Sequence, residues 1–129
     1  MLRTGILNPQ LNSLLSRVRH TNTLVIADRG FPFWPEIETV DLALVDDIPR
    51  VLDVLEAIRR NFSIGSFRMA EEFRAHNAAA VQSQYSAAMQ GAPVLYEPHA
   101  QFKLRVPLAV GLVRTADTIP YANMILESE

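Results

Sequence analysis

The chain has 129 residues, of which 49% are apolar and 20% charged, as expected for one globular domain with its own core. Its formal net charge is -2 without a basic cluster, which excludes nucleic acid as an expected partner, and the absence of cysteine excludes disulfides, thiol catalysis and cysteine-based zinc sites. The N-terminal segment lacks a signal-peptide core, and no apolar run reaches about 18 residues. We therefore expect a cytoplasmic protein without a membrane span.

The first half of the chain alternates helix and strand signals. Asn8-Pro9 predicts the start of a first helix, because proline is favoured at the first helical position. The run 23–27 is apolar at every residue, which is typical of a strand covered on both faces. The prolines of 31–35 predict a loop. Alternation over 40–44 predicts a second strand, and Pro49 begins a second helix.

The second half continues this alternation. Phe67, Met69 and Phe73 alternate with charged residues and predict a third strand, in which Glu71 and Glu72 point to opposite faces. An alanine-rich helix is predicted at 77–90, a strand at 93–97 and a short helix from Pro98. Two final strands follow near 109–115 and at 122–127. The pattern indicates a single α/β domain over 1–129 with a layered sandwich. Glycine-rich phosphate-binding motifs are absent, so a nucleotide is not expected.

An ionisable residue stands at each end of the apolar run 23–27. His20 precedes it, and Asp28 follows it. In a purely structural interpretation, His20 caps the first helix and Asp28 forms a turn with Gly30. In a functional one, both serve a ligand site. His20, His76 and His99 show no metal-ligand spacing, so we expect no metal site, and we place His76 on the surface.

Two further pairs suit a polyhydroxylated ligand. His99 and Lys103 are four residues apart and share a helical face, which could equally be a solvated face. Tyr121 and Asn123 flank Ala122 and point the same way if the segment is extended; the alternative is a turn after proline. A phenol and an amide form hydrogen bonds in both directions, as sugar hydroxyls require.

Three segments in this order, HTNTLVIADRGFP, HAQFK and IPYANMIL, resemble the D-ribose pyranase and L-fucose mutarotase family of sugar-ring isomerases over nearly the whole chain. The histidine in HAQFK and the segment VDLAL at 40–44 are closer to the pyranase branch. The resemblance implies a three-layer α/β/α sandwich with a mixed, largely parallel sheet. It also implies a ring-like homo-oligomer, typically a decamer, with its sites at subunit interfaces.

The resemblance also assigns roles to residues. His20 would be the catalytic proton donor. The substrate-binding residues would be Asp28, His99, Tyr121, Ala122 and Asn123. Lys103 is a further candidate from its helical spacing to His99, not from the resemblance. The implied activity is the interconversion of pyranose and furanose forms of a monosaccharide, first of all D-ribose, by general acid–base ring opening without a cofactor.

The distance between the two ends of the first strand bears on this assignment. If extended, residues 21–28 span roughly 25 Å, which is too far for His20 and Asp28 to hold one monosaccharide. We therefore expect them to serve different copies of the site, and a sharp bend at Thr21-Asn22 would weaken this expectation. Arg19 and Arg29 depart from the family pattern and would suit an anionic sugar.

Three alternatives remain open at this point. The first is a mutarotase acting on L-fucose-like sugars. The second is a non-catalytic sugar-binding subunit linked to sugar uptake. The third is a structural oligomer that binds no sugar.

Overall fold

The computed structural model describes residues 1–129. Its strands are β1 Thr23–Ala27, β2 Glu38–Asp41, β3 Ile64–Ala70, β4 Val94–Glu97, β5 Gly111–Arg114 and β6 Met124–Ser128. Its helices are α1 Pro9–Ser16, α2 Val51–Arg59, α3 Glu71–His76, α4 Ala79–Ala88 and α5 His99–Arg105, the last followed by a 3₁₀ turn. None of the helices has the length and apolar character needed to cross a bilayer.

The six strands form one sheet in the order β2-β5-β1-β6-β3-β4. β6 pairs antiparallel with both of its neighbours, β1 and β3, and every other pairing is parallel. Five strands therefore run in one direction, and the predicted mixed, largely parallel sheet is confirmed. This topology brings the carboxyl ends of β1, β3, β4 and β5 to the same edge as the start of β6.

Helices cover both faces of the sheet, which makes three layers. Leu24 and Ile26 of β1 belong to a core cluster with residues of α1, α2 and α4, whereas Val25 and Ala27 belong to a second cluster that includes α5. All four of these side chains are fully buried, as predicted for a strand covered on both sides. The predicted three-layer α/β/α sandwich is confirmed.

Close packing of α1 on the sheet depends on a glycine. A Cβ added at Gly111 in β5 would lie 2.6 Å from a methyl group of Leu14 in α1. Because that distance is far below van der Waals contact, a larger residue at position 111 would force the Leu14 side chain to move from its place against the sheet.

For two strands, the predicted range is longer than the observed strand. The third predicted strand was expected to continue to Phe73, but β3 ends at Ala70, and Glu71 begins α3. The prediction was wrong because Phe73 lies at a spacing that fits either period, and it reaches the core from a helix. The second predicted strand was expected to include residue 44, but β2 ends at Asp41. There the Asp41 Oδ1 accepts a hydrogen bond from the Ala43 N–H, and the chain turns.

Candidate functional site

The candidate site is a polar cavity at the carboxyl edge of the sheet. It has a volume of about 240 Å³ and is lined by Asp28, Gly30, Phe31, Pro32, His99, Pro120, Tyr121 and Asn123. The lining residues follow β1, follow β4 or precede β6, so the sheet topology brings them together. Open α/β sheets bind their ligands at this edge. Four of the residues predicted from the sequence meet here.

Asp28 is held in place from both sides. Its backbone N–H donates to Asn123 Oδ1 at 2.7 Å, and its own Oδ1 accepts from the Gly30 N–H at 3.0 Å. The predicted turn with Gly30 is thus present, and the same residue lines the cavity. Burial raises the pKa of the Asp28 carboxyl above its usual value, although hydrogen bonds from the Gly30 and Phe31 N–H groups oppose this. A raised pKa suits a carboxyl for proton transfer nearer neutral pH.

His99 is the first residue of α5. Its backbone N–H donates to both carboxylate oxygens of Glu72, at 3.1 and 3.0 Å. Its ring meets the Tyr121 ring edge-on, with centroids 5.1 Å apart, and lies parallel to the Phe102 ring. Burial, followed by the charge of Lys103, lowers the pKa of the His99 imidazole. The neutral ring therefore prevails at neutral pH and offers one donor and one acceptor.

The segment before β6 is a turn, not the extended segment that the favoured interpretation required. Tyr121 has a φ of +56°, a left-handed conformation that is rare for aromatic residues. The His76 ring lies 5.2 Å from the Tyr121 ring, and Asn77 Nδ2 donates to the Pro120 carbonyl at 2.9 Å. Tyr121 and Asn123 nevertheless both line the cavity.

Ala122 lies between two lining residues, and its side chain points elsewhere. It is fully buried and packs in the larger core cluster. The cavity is not lined by Ala122, so its predicted contact with substrate stays a prediction.

His20 lies apart from the cavity. α1 ends at Ser16, so His20 is too far along the chain to cap that helix, and the interpretation as a cap is wrong. The Thr21 N–H donates to the carbonyl of Ser128, the last residue of β6, whereas Asn123 directly precedes β6. His20 is therefore at the opposite edge of the sheet from Asp28, and it is exposed.

The bend that would weaken the expectation of a shared site is present. Thr21 has a φ of +63°, so residues 21–28 are not fully extended. Four residue steps of β1 alone still account for about 13 Å. The bend shortens the span between His20 and Asp28 without bringing them to one cavity.

A second, larger cavity adjoins the first. Its volume is about 610 Å³, and it is lined by Pro32, Phe33, Trp34, Pro35, Glu36, Ala100, Lys103, Leu104 and Pro107. Its walls are mainly apolar, and Glu36 and Lys103 are its only ionisable lining residues. We therefore take the smaller polar cavity as the candidate site and place Lys103 beside it rather than in it.

The two arginines considered for an anionic ligand also lie outside the cavity. Arg29 pairs with Asp46 at 2.6 Å on the exposed surface. Arg19 is exposed in the turn next to His20. No group of three or more His, Asp or Glu residues is arranged to hold a metal ion.

Several supporting residues were missed by the sequence analysis. Arg114 donates to the carbonyls of Asp28, Arg29 and Pro32 at 3.1, 3.3 and 3.1 Å, and so holds the loop after β1. Asp117 is buried and accepts hydrogen bonds from the N–H groups of Val51 and Ile119 at 2.9 Å each.

Arg114 ends β5, and Asp117 follows it. Arg114 lies near the end of the predicted strand 109–115, and Asp117 lies just after it. This position is the signal that would have found them, once β5 was known to lie beside β1. Glu72 and His76 were missed because α3 was taken for a strand and a loop.

Comparisons with known proteins agree with this fold. The model of the RbsD / FucU transport protein family matches residues 1–129. D-ribose pyranase from Geobacillus kaustophilus is 42% identical over 99% of this chain and 93% of its own length, and the one from Geobacillus thermodenitrificans is 39% identical over 99% and 96%. The structure of Bacillus subtilis RbsD complexed with D-ribose superposes with a TM-score of 0.91 at 30% identity, covering 99% of this chain and 97% of that one.

A more distant structure marks the limit of the likeness. The fucose mutarotase from Streptococcus pneumoniae, in complex with L-fucose, has a TM-score of 0.79 at 20% identity, covering 94% of this chain and 91% of that one. It shares the fold alone. The resemblance noted from three sequence segments is thereby confirmed, on the pyranase side. The chain belongs to the RbsD / FucU family.

Proposed function

We propose that the protein is a D-ribose pyranase, a cytoplasmic isomerase that interconverts the pyranose and furanose forms of D-ribose without a cofactor. The observation that carries this proposal is the similarity to D-ribose pyranases over 99% of the chain, at 42% identity to one of them. The polar cavity supports it independently. Its volume of about 240 Å³ is below the range of drug-sized ligands and suits a monosaccharide.

The chemistry needs only proton transfer. Opening a sugar ring requires a proton on the ring oxygen and the removal of one from the anomeric hydroxyl, and general acid–base catalysis of such steps contributes about 10²- to 10⁴-fold. In the cavity, Asp28 and neutral His99 accept and donate hydrogen bonds near the reacting end of the sugar. Tyr121 and Asn123 hold further hydroxyls, because a phenol and an amide match their mixed donor and acceptor character.

The proton donor comes from a second copy of the chain. His20 is at the opposite edge of the sheet from the cavity, so within one chain it does not reach a sugar bound at Asp28. A homo-oligomer, for which a decamer is the expectation, places His20 of a neighbouring subunit at the cavity. Exposed apolar side chains of the adjoining larger cavity support such packing: Phe33 and Leu104, which line it, are 71% and 68% exposed.

Proton NMR saturation transfer on equilibrated D-ribose tests the proposal. We expect the wild type to add exchange between the β-pyranose and β-furanose signals, and Asp28→Asn to lose it. Asp46→Asn is the matched control, because this exposed carboxylate pairs only with Arg29 and should leave exchange unchanged.

The other outcomes decide between the alternatives. Exchange on L-fucose but not on D-ribose would contradict the pyranase assignment in favour of a mutarotase. Sugar binding without exchange on any sugar would contradict catalysis and favour a sugar-binding subunit.

A further inference from the structure

The start of α5 is capped by a residue of another helix. Pro98 precedes α5 and has no side-chain acceptor for the free N–H groups of the first turn. Glu72 of α3 acts as the capping acceptor instead, because both of its carboxylate oxygens lie within 3.1 Å of the His99 backbone nitrogen. A negative charge at a helix start is also favourable. The contact fixes the backbone of the residue whose ring lines the cavity.

The charges around His99 come from several elements. Glu72 faces it from α3, Lys103 from α5, Asp28 from the end of β1, and the Tyr121 ring from the turn before β6. The His76 ring also lies near the Tyr121 ring, with centroids 5.2 Å apart. Burial and Lys103 lower the pKa of the imidazole, whereas Glu72 and Asp28 raise it. Glu72 is therefore linked to His99 by a direct hydrogen bond and by its charge.

We propose that Glu72 is a positioning residue of the sugar site, which acts through His99 by holding the start of α5 and the imidazole at the cavity. This role rests on the proposed function, since it concerns the same site. Glu72 itself does not line the cavity.

The neighbouring Glu71 provides a matched control. Its carboxylate pairs with Arg74 at 2.6 Å, is 46% exposed and makes no contact with His99. Glu71→Gln and Glu72→Gln remove the same charge from adjacent positions of one helix. Glutamine at 72 keeps an oxygen that can accept the His99 N–H, so the fold is preserved.

Two readouts test the role. The first is the NMR titration of the His99 imidazole, assigned with His99→Gln; we expect Glu72→Gln to lower its pKa and Glu71→Gln to leave it unchanged. The second is ribose exchange kinetics. A charge at a helix start is worth about 0.3–1 kcal/mol, so we expect Glu72→Gln to raise KM by about two- to fivefold. Glu72→Ala also removes the acceptor and should raise KM further, so that glutamine partly rescues the alanine variant.

The outcomes separate this inference from the proposed function. If the wild type is active and Glu72→Gln matches Glu71→Gln in both readouts, the positioning role is overturned and the pyranase assignment stands. If the wild type exchanges no sugar but Glu72→Gln alone shifts the His99 titration, the pyranase assignment fails, and the coupling of Glu72 to His99 is supported.

Discussion

The two ends of β1 are built in opposite ways. At the carboxyl end, Asp28 is half-buried and is fixed by Asn123, Gly30 and the Arg114 side chain. At the amino end, His20 is exposed, and the turn around it is held by the bond from Thr21 to Ser128 and by local hydrogen bonds. The surroundings of Asp28, which we call the Asp28 half-site, are thus fixed by hydrogen bonds, whereas His20 stands exposed at the opposite edge of the sheet.

Under the proposed function, this difference corresponds to two roles in the site. Groups that orient a sugar must be held to within a fraction of an ångström, and the hydrogen bonds around Asp28 provide this. A proton donor that serves a neighbouring subunit, as proposed for His20, would need exposure instead. The half-site at Asp28 should therefore be sensitive in both stability and activity, and the His20 end in activity alone.

The largest expected effect is on activity at the exposed end. We expect His20→Ala to lower the rate of ribose exchange by about 10²- to 10⁴-fold, because it removes the proposed proton donor. Its free energy of unfolding should change by no more than about 0.5 kcal/mol, as is usual for an exposed residue. Saturation-transfer NMR and urea unfolding measure the two quantities.

Mixing subunits tests the division more directly. His20→Ala and Asp28→Asn subunits are each expected to be inactive alone. Unfolded and refolded together, they should regain a measurable share of the exchange, since some cavities then combine an intact Asp28 with an intact neighbouring His20. No recovery, although mixed oligomers form, would contradict a site shared between subunits.

Substitutions of two asparagines allow the contributions of the two ends of β1 to protein stability to be compared. Asn123 is 3% exposed and accepts the Asp28 N–H, whereas Asn22 accepts the Arg19 N–H in the exposed turn. We expect Asn123→Ala to lower the free energy of unfolding by about 1–3 kcal/mol, because it leaves a donor without a partner inside the protein.

Asn22→Ala is the control for this change. The N–H of Arg19 then bonds to water, so the free energy of unfolding should fall by less than about 1 kcal/mol. The urea midpoints of the two variants measure the two losses of stability. Equal losses at both ends would show that the Asp28 half-site is no more tightly built than the His20 turn.

The sequence predicted much of this arrangement because its signals were local. The all-apolar run of β1 identified a strand covered on both faces, and strand length alone separated His20 from Asp28. The motif resemblance then selected Asp28, His99, Tyr121 and Asn123, which the structure brings to one cavity.

Other features depended on tertiary contacts or on signals that were present but not used. Nothing local to Tyr121 predicts its positive φ, which is maintained by contacts from His76 and Asn77. α3, in contrast, carries Glu71 and Glu72 in its first turn and basic residues in its last, which is the charge pattern of a helix. The alternation around Phe73 outweighed that pattern and concealed the role of Glu72.

Asp28 and Asp47 should make opposite contributions to the pH dependence of the free energy of unfolding. Burial raises the pKa of Asp28, so the folded state holds its proton to higher pH than the unfolded state, and Asp28 costs stability as pH rises from about 3.8 through the folded pKa. Hydrogen bonds from Thr118 lower the pKa of the partly exposed Asp47, whose contribution is present above about 3.8 and is lost as pH falls through the folded pKa.

Urea unfolding of Asp28→Asn and Asp47→Asn across this range tests the signs. As pH rises from about 4 to 7, Asp28→Asn should gain stability relative to the wild type. As pH falls below about 4, the deficit of Asp47→Asn should shrink. A constant difference for Asp28→Asn would contradict the burial of its charge.

The smallest effects are expected from one ion pair at each edge. Arg17 pairs with Glu38 at 2.5 Å near the His20 end, with side chains 49% and 41% exposed. Arg105 bonds both oxygens of Glu97, at 2.5 and 3.0 Å, and the Glu97 side chain is only 12% exposed. Exposed pairs contribute about 0–1 kcal/mol, and salt screens them.

Arg17→Gln should therefore lower the free energy of unfolding by less than about 1 kcal/mol, and the loss should vanish in about 1 M salt. Arg105→Gln should cost more and keep part of its cost in salt, because two bonds are lost and Glu97 is left with little access to water. If both variants lose the same stability at low and high salt, the two edges of the sheet do not differ in how firmly their charges are held, and the contrast between them is confined to the hydrogen bonds around Asp28.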